Sequence, residues 1–353
     1  MNAKKLNLFS PLCQTGYGVV GTNVLKQMLL RNISVASFPL GGVHVEQDIA
    51  ELVHQSIERA DSLDRSAPCL KIWHQHDLAT TIGRGEYFAI PYFELDTLTD
   101  KERFHLRVPD RVLVSSEWHK NVVDTQAEIN STIWNPGVDT STFCPPEVKR
   151  SDGPYRFLVA GKWEVRKGHD ILCDIFNSTF GPADNVELLL LTSNPFLSKK
   201  EGHRWERLYK DSKLGDKIHI IPHQETHGQV VSLMQQCSCG VFPSRAEGWN
   251  LELLECMACG LPVVTFDHTA HSEFCDNKNS YIIKPRSVEP AYDGKWFFGT
   301  GNWAKITRQN QKDFGSLMRF CYENRPENPS GVETASNLSW ENCVEKLDNI
   351  IWG

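Results

Sequence analysis

Two glutamates, Glu247 and Glu255, frame the stretch Ser244-Arg245-Ala246-Glu247-Gly248-Trp249-Asn250-Leu251-Glu252-Leu253-Leu254-Glu255. It begins where the apolar run 238–242 stops, so it reads as a strand-to-helix loop followed by the first turns of a helix. Gly248 permits an unusual turn. A helix starting near Asn250 would aim its free amides at whatever lies beyond its end, and a diphosphate fits there. Glu255 would lean back toward that end, where it could grip a ribose diol. Glu247, ahead of the helix, would sit on the other side of the phosphates and could hold a transferred group. Two acids alone would equally suit a solvated surface. Lys162-Trp163-Glu164-Val165-Arg166-Lys167-Gly168 shifts that balance, because it follows the apolar run 155–161 and would bring Lys162 and Lys167 to the same edge of the same sheet. Nowhere are two aspartates separated by one residue, the usual carboxylate pair for a divalent ion on a nucleotide sugar. Lysines and helix amides would then carry the charge of a leaving diphosphate, with no metal and no cofactor.

Other groups are less specific. Gly16-Tyr17-Gly18-Val19-Val20-Gly21 opens a helical stretch after a strand and matches a dinucleotide fingerprint. That fingerprint also needs an acid at the end of the next strand, and 36–42 supplies none. The main reading is a glycine loop that approaches a phosphate or sugar; an NAD(P)-dependent oxidoreductase is the alternative. Cys237-x-Cys239 and Cys256-x-x-Cys259 come near a four-thiolate zinc spacing. Their flanks read as buried strand and helix, so they are expected to be packed thiols.

These loops need a sheet to hold them. Apolar runs at 155–161, 186–192, 217–221, 238–242, 262–266 and 281–283 alternate with helical stretches, the rhythm of a parallel sheet covered on both faces. The N-terminal half repeats the scheme at 6–9, 34–38, 70–73, 88–93, 112–115 and 132–134. The fold class is therefore α/β, two doubly wound Rossmann-like domains facing each other across a cleft. Turn residues at 135–137, 144–146 and 151–154 place the boundary near 150, giving domains at 1–150 and 151–325 and a terminal helix within 326–353. The Gly- and aromatic-rich segment 285–303 reads as an irregular excursion. A length of 353 residues with 40% hydrophobic content suffices for two cores. Lys plus Arg at 37 against Asp plus Glu at 44 leaves −7, which excludes a global attraction to nucleic acid or anionic lipid. No apolar run reaches a membrane-spanning length or forms a signal-peptide core, and the eleven cysteines suit a reducing compartment, so a cytoplasmic location is expected.

GKWEVRKG, PSRAEGWNLELLECMACGLPVV and the terminal SWE resemble the retaining, nucleotide-sugar-dependent glycosyltransferases of GT-B architecture, family 4. The resemblance spans most of 155–285. It implies that Glu247 and Glu255 contact the donor sugar and ribose, and that Lys162 and Lys167 bind the diphosphate. Backbone amides of Trp249, Asn250 and Leu251 would complete the cradle, with Gly248 beside them in the donor-binding loop, and Gly16 and Gly18 would approach the donor from the other domain. It also implies that the last helix crosses back onto the N-terminal domain. Two positions depart from the family. Lys162 stands where many members carry Arg, and Glu94 stands where many carry a catalytic His. Glu94 is thus a candidate for orienting the acceptor hydroxyl, with His76 and Asp77 as rivals.

The expected reaction moves a sugar from a nucleoside-diphosphate sugar, a UDP-sugar above others, to an acceptor hydroxyl with retention of anomeric configuration. The expected acceptor is a glycan or small molecule. Arg103 and Arg107 form the one basic cluster near the acceptor side, and a hydroxymethylated DNA base, as used by phage-encoded transferases that the chain loosely resembles, is the less favoured acceptor. Pairing of that cluster with Glu102 and Asp110 is the simpler expectation.

Overall fold

The computed structural model describes residues 4–148 and 153–353. Strands β1 (Lys5–Ser10), β2 (Ser34–Pro39), β3 (Cys69–Ile72), β4 (Tyr87–Ile90), β5 (Arg111–Val114) and β6 (Thr132–Ile133) form one parallel sheet in the order β2-β1-β3-β4-β5-β6. β7 (Tyr155–Ala160), β8 (Val186–Leu191), β9 (Ile218–Ile221), β10 (Cys239–Phe242), β11 (Val263–Phe266) and β12 (Tyr281–Ile283) form a second, in the order β12-β11-β10-β7-β8-β9. All twelve expected strands form, and the fold is the expected α/β pair of parallel sheets. The fourth strand ends earlier than its apolar run because Pro91 follows Ile90 and lacks the N–H that a ladder needs.

The chain divides into two compact units, Met1–Gly137 with Leu338–Gly353, and Val138–Asn337. The boundary expected at 150 falls on residues outside the described ones, and the first break comes earlier, after Gly137. A side chain on Gly137 would meet the Trp340 amide at 2.7 Å, so the chain is clamped to the start of the last helix, Trp340–Trp352. That helix packs against Gly16–Leu30, and Trp134 Nε1 donates to the Cys343 carbonyl at 2.8 Å. The second break also differs from the expected 325. The helix Pro329–Asn337 stays with the second unit because it packs on Leu251–Ala258. The segment 285–303 is no irregular excursion: it holds an antiparallel ribbon, β13 (Val288–Tyr292) and β14 (Phe298–Ala304).

The core of the second unit wraps β7 and β8, with Phe157, Leu172, Phe176, Leu188, Leu190 and Phe314 each fully buried. Each such side chain contributes roughly 1.5–3 kcal/mol relative to exposure. In each sheet one strand pair marks where the chain reverses its direction of growth: β1 with β3, and β7 with β10. Open parallel sheets bind ligands outside the carboxyl ends of such pairs.

Candidate functional site

The loops leaving β7 and β10 are the ones that carry Lys162, Lys167 and Glu247. They are stitched together. The Arg245 amide donates to the Arg166 carbonyl at 2.7 Å, and a side chain on Gly168 would meet the Pro243 carbonyl at 2.1 Å. Gly168 has φ +76°, which a residue with a Cβ rarely adopts. Arg245 further grips Asp170 with two hydrogen bonds, at 2.7 and 2.8 Å, which locks the start of the helix His169–Thr179 to the second loop.

Glu247 sits at the centre, 4% exposed. Its carboxylate accepts from Arg166 Nη1 at 2.6 Å and Ser244 Oγ at 2.7 Å, and Lys167 Nζ lies 3.2 Å away. Burial alone would raise this carboxyl, but Arg166 and Lys167 hold it well below the usual carboxylate range. Burial likewise opposes the Lys167 ammonium, and Glu247 and Glu252 override it, so its pKa is raised. Lys167 Nζ is 3.8 Å from Glu252, in the first turn of Leu251–Ala258, which puts the lysine on the side where that helix begins. Lys162 is more exposed and pairs with Glu164 at 3.3 Å, and Glu164 in turn accepts from Arg166 at 2.9 Å.

The helix start is held in an unusual conformation. Asn250 has φ +86°, its Oδ1 accepts from the Leu253 amide at 3.2 Å, and its Nδ2 contacts His271 Nε2 at 2.9 Å. The Asn250 side chain therefore donates to Nε2. His271 Nδ1, which carries the proton, faces the Phe266 carbonyl at 3.1 Å; burial keeps this imidazole neutral. Side-chain hydrogen bonds on both sides thus sustain the strained backbone. Among the described residues, the amides of Trp249, Asn250 and Leu251 find no acceptor. Glu255 lies further along the helix; its carboxyl forms no hydrogen bond among the described residues and is pushed up to about 8 by burial, with Glu252 adding to the rise. The arrangement is an anion cage: two buried cations, a row of free amides, and a carboxyl waiting for hydroxyl donors.

Sequence reasoning quoted Ser244 and Arg166 without giving either a part, and gave none to Asp170, Thr269 or His271. Thr269 Oγ1 accepts from the Glu247 amide at 2.8 Å. A free-standing charged or polar loop residue looks solvated; only the folding of one loop onto another buries these. Cys239, Cys256 and Cys259 are buried, and among the described residues no group of three or more His, Cys, Asp or Glu gathers to hold a metal ion.

The remaining candidates belong to the first unit. A side chain on Gly18 would strike the Cys13 carbonyl at 2.3 Å, and one on Gly21 the Ser10 hydroxyl at 2.2 Å, so both glycines let the helix pack on its own strand. Gly16 has open space around it. Tyr17 donates to the Tyr92 carbonyl at 2.8 Å and packs against Trp73, His74 and Tyr92, with ring centroids within 5.6 Å. His76 stacks on His74 at 5.1 Å, and Asp77 accepts from Trp73 Nε1 at 3.1 Å. Glu94 is half-buried beside Tyr17. Arg103 pairs with Asp100 and donates to the Leu98 carbonyl; Arg107 pairs with Glu128 at 3.0 Å and donates to the Ala127 carbonyl. The expected partners, Glu102 and Asp110, instead cap the helix Asp100–Leu106 and accept from the Tyr87 amide.

Residues 154–293 match the family described as Glycosyl transferases group 1. The matched segment lies within the second unit. An uncharacterized glycosyltransferase of Methanocaldococcus jannaschii is 26% identical over 157 residues, 44% of this chain and 39% of that one, so the match spans under half of that relative. Sucrose-phosphate synthase from Thermosynechococcus elongatus has the same fold at 14% identity, with a TM-score of 0.73 over 98% of both chains. Anabaena HepE, solved with UDP-glucose, superposes with a TM-score of 0.69 at 14% identity, over 98% of this chain and 99% of its own. The chain has the two-domain α/β fold of these GT-B proteins, and the anion cage lies inside the segment similar to group 1 glycosyl transferases.

Proposed function

We propose that the protein is a retaining, metal-independent glycosyltransferase of family 4, which moves a sugar from a UDP-sugar to the hydroxyl of a glycan or small molecule. The observation that carries this reading is the convergence of Lys167, Arg166 and the free amides at 249–251 on one edge of the second sheet, with Glu247 between them. Lys162, Lys167 and the amides bind the diphosphate, Glu247 holds the transferred sugar, and Glu255 takes the ribose diol. The UDP-glucose complex of HepE supports the choice of donor. Two ammonium or guanidinium groups with a helix start supply the charge that a divalent ion would otherwise bring, so chelators are expected to leave turnover intact.

With retention, the acceptor enters on the face that the leaving group vacates, and the departing phosphate oxygen takes the hydroxyl proton. Positioning and stabilisation of the leaving diphosphate then supply most of the rate. The acceptor is assigned to the first unit, where Tyr17, Trp73 and His76 offer rings for a sugar face and Glu94 and Asp77 offer acceptors for its hydroxyls. The arginines that would have met a DNA backbone are already paired. The test is a thermal-shift panel of UDP-, GDP- and ADP-sugars in the presence of EDTA. A UDP-sugar is expected to raise the melting temperature most, since a ligand that binds only the folded state stabilises it. No shift with any of them rejects the reading.

A further inference from the structure

The second unit also carries an exposed aromatic and basic surface beside the loop of Lys162, whose ammonium lies 5.6 Å from the Phe196 ring. The ribbon leaves Tyr292 64%, Phe298 67% and Trp296 44% exposed, and Phe196, edge-on to Trp296 at 6.1 Å, is 59% exposed. Clustered exposed rings mark interaction sites rather than ordinary surface. The ribbon turn is ordered: the Asp293 carboxylate accepts from the amides of Lys295, Trp296 and Phe297 at 2.7–2.9 Å, which also engages its charge. Lys295 pairs with Glu201 at 2.6 Å, fixing the rings at the start of the helix Lys199–Lys210. Tyr209 of that helix is buried and Trp205 stacks on Trp163, whereas Lys199, Lys200, His203, Arg204 and Arg207 are exposed. Among the described residues, none of these five side chains has an ion-pair or hydrogen-bond partner. Two other cations of the unit, Arg156 and Arg319, are matched by Glu187 and Asp184. A chain of net charge −7 thus gathers unpaired positive charge and exposed rings in one place. Lys200, His203, Glu206 and Arg207 border an open hollow on that face.

We propose that this face, the ribbon tip with the exposed side of the helix Lys199–Lys210, docks the protein on an anionic lipid surface. The rings enter the headgroup boundary while the lysine and arginine stems reach the phosphates, the division of labour of interfacial segments. Each near-surface cation contributes roughly fivefold to such binding. Single-stranded nucleic acid would want rings interleaved with the cations so that bases stack between phosphate contacts. Here the rings project from a rigid turn at one end of the basic face, as a wedge entering an apolar layer would.

The test is co-sedimentation of the full chain with vesicles of phosphatidylglycerol and phosphatidylcholine, and with phosphatidylcholine alone. Preferential binding to the anionic vesicles, weakened by salt, is expected. Lys200→Glu with Arg204→Glu should lose at least about tenfold in vesicle affinity, and Trp296→Ala with Phe298→Ala should abolish the binding that persists at high salt, both pairs keeping wild-type circular dichroism. Equal binding to both vesicle types, no binding at low salt, or unchanged binding by both variants overturns the proposal. So does a nucleic-acid shift without vesicle binding, and so does a concentration-dependent dimer that the ring variants dissolve while vesicles bind nothing. None of these readouts depends on sugar transfer, so failure here leaves the donor assignment standing.

Discussion

The two sheets present the same topological feature with opposite chemistry. At β7 and β10 the loops bring buried charge together: Glu164, Arg166, Lys167 and Glu247 satisfy one another within 3.3 Å. At β1 and β3 the corresponding loops bring rings: His74 packs edge-on to Tyr17 and Trp73, which are tilted to each other, and Lys71 of β3 is 1% exposed with its ammonium on Thr80 and over the Phe9 ring. A polyanion is stabilised by the first arrangement and finds no counter-charge in the second. A sugar ring gains from flat apolar faces flanked by carboxylates, which the second provides. Under the proposed function, one fold separates two binding tasks by what it places after equivalent strands.

The sharpest way to break this contrast is at Glu247. Replacing it with Ala strands Arg166 and Lys167 as buried cations, and losing one partner of a buried pair costs roughly 3–5 kcal/mol. Glu247→Ala should thus lower stability as well as transfer, so loss of activity in that variant does not isolate chemistry. Glu247→Gln keeps a hydrogen-bonding group for Ser244 and Arg166 and should retain the fold. Its transfer rate should still fall by about a thousandfold or more, since positioning and charge at the transferred sugar are both lost. Initial-rate kinetics beside thermal melting separate the two effects, and wild-type turnover in the Gln variant would remove Glu247 from the reaction.

Much of this was legible in the residues themselves. Apolar runs such as 155–161 and 238–242 marked every strand, because a strand buried on both faces must be continuously apolar. The ribbon was missed for the opposite reason: Tyr292, Phe298 and Thr300 face solvent, and glycines at 299 and 301 with positive φ interrupt any alternation. The break after Gly137 depends on a close approach to Trp340, far along the chain, that no local signal announces. In the site, the segments holding Lys167 and Glu247 were readable from glycines and helix starts. Arg166 was not, since its 6% exposure exists only once the loop of 161–168 lies on that of 243–250.

A smaller effect should appear at Glu255, where pH probes the donor side alone. Its folded pKa of about 8 stands above the unfolded value near 4.5. The folded state thus holds a proton that the unfolded state has lost, and unliganded stability declines as pH rises between those values. A ribose diol donates to the ionised carboxylate, so donor affinity should run the other way and tighten as pH rises toward 8. Glu255→Gln should flatten both slopes, raise the unliganded melting temperature at pH 8 and loosen the donor by roughly tenfold. Calorimetric titration across this range checks it, and pH-independent donor binding in the wild type would assign Glu255 a structural part.

The smallest effects belong to the first unit, and they sharpen the contrast by their selectivity. Trp73→Ala removes a ring from the Tyr17 and His74 cluster and the donor to Asp77, so the acceptor KM should rise about three- to tenfold while the donor KM stays put. Arg103→Glu with Arg107→Glu breaks two exposed ion pairs, each worth roughly 0–1 kcal/mol, and the hydrogen bonds to the Leu98 and Ala127 carbonyls, so it lowers stability but should leave both constants within about twofold. If the arginine pair changed acceptor kinetics strongly and Trp73 did not, charge rather than ring stacking would govern the first unit, and the chemical division between the two sheets would not hold.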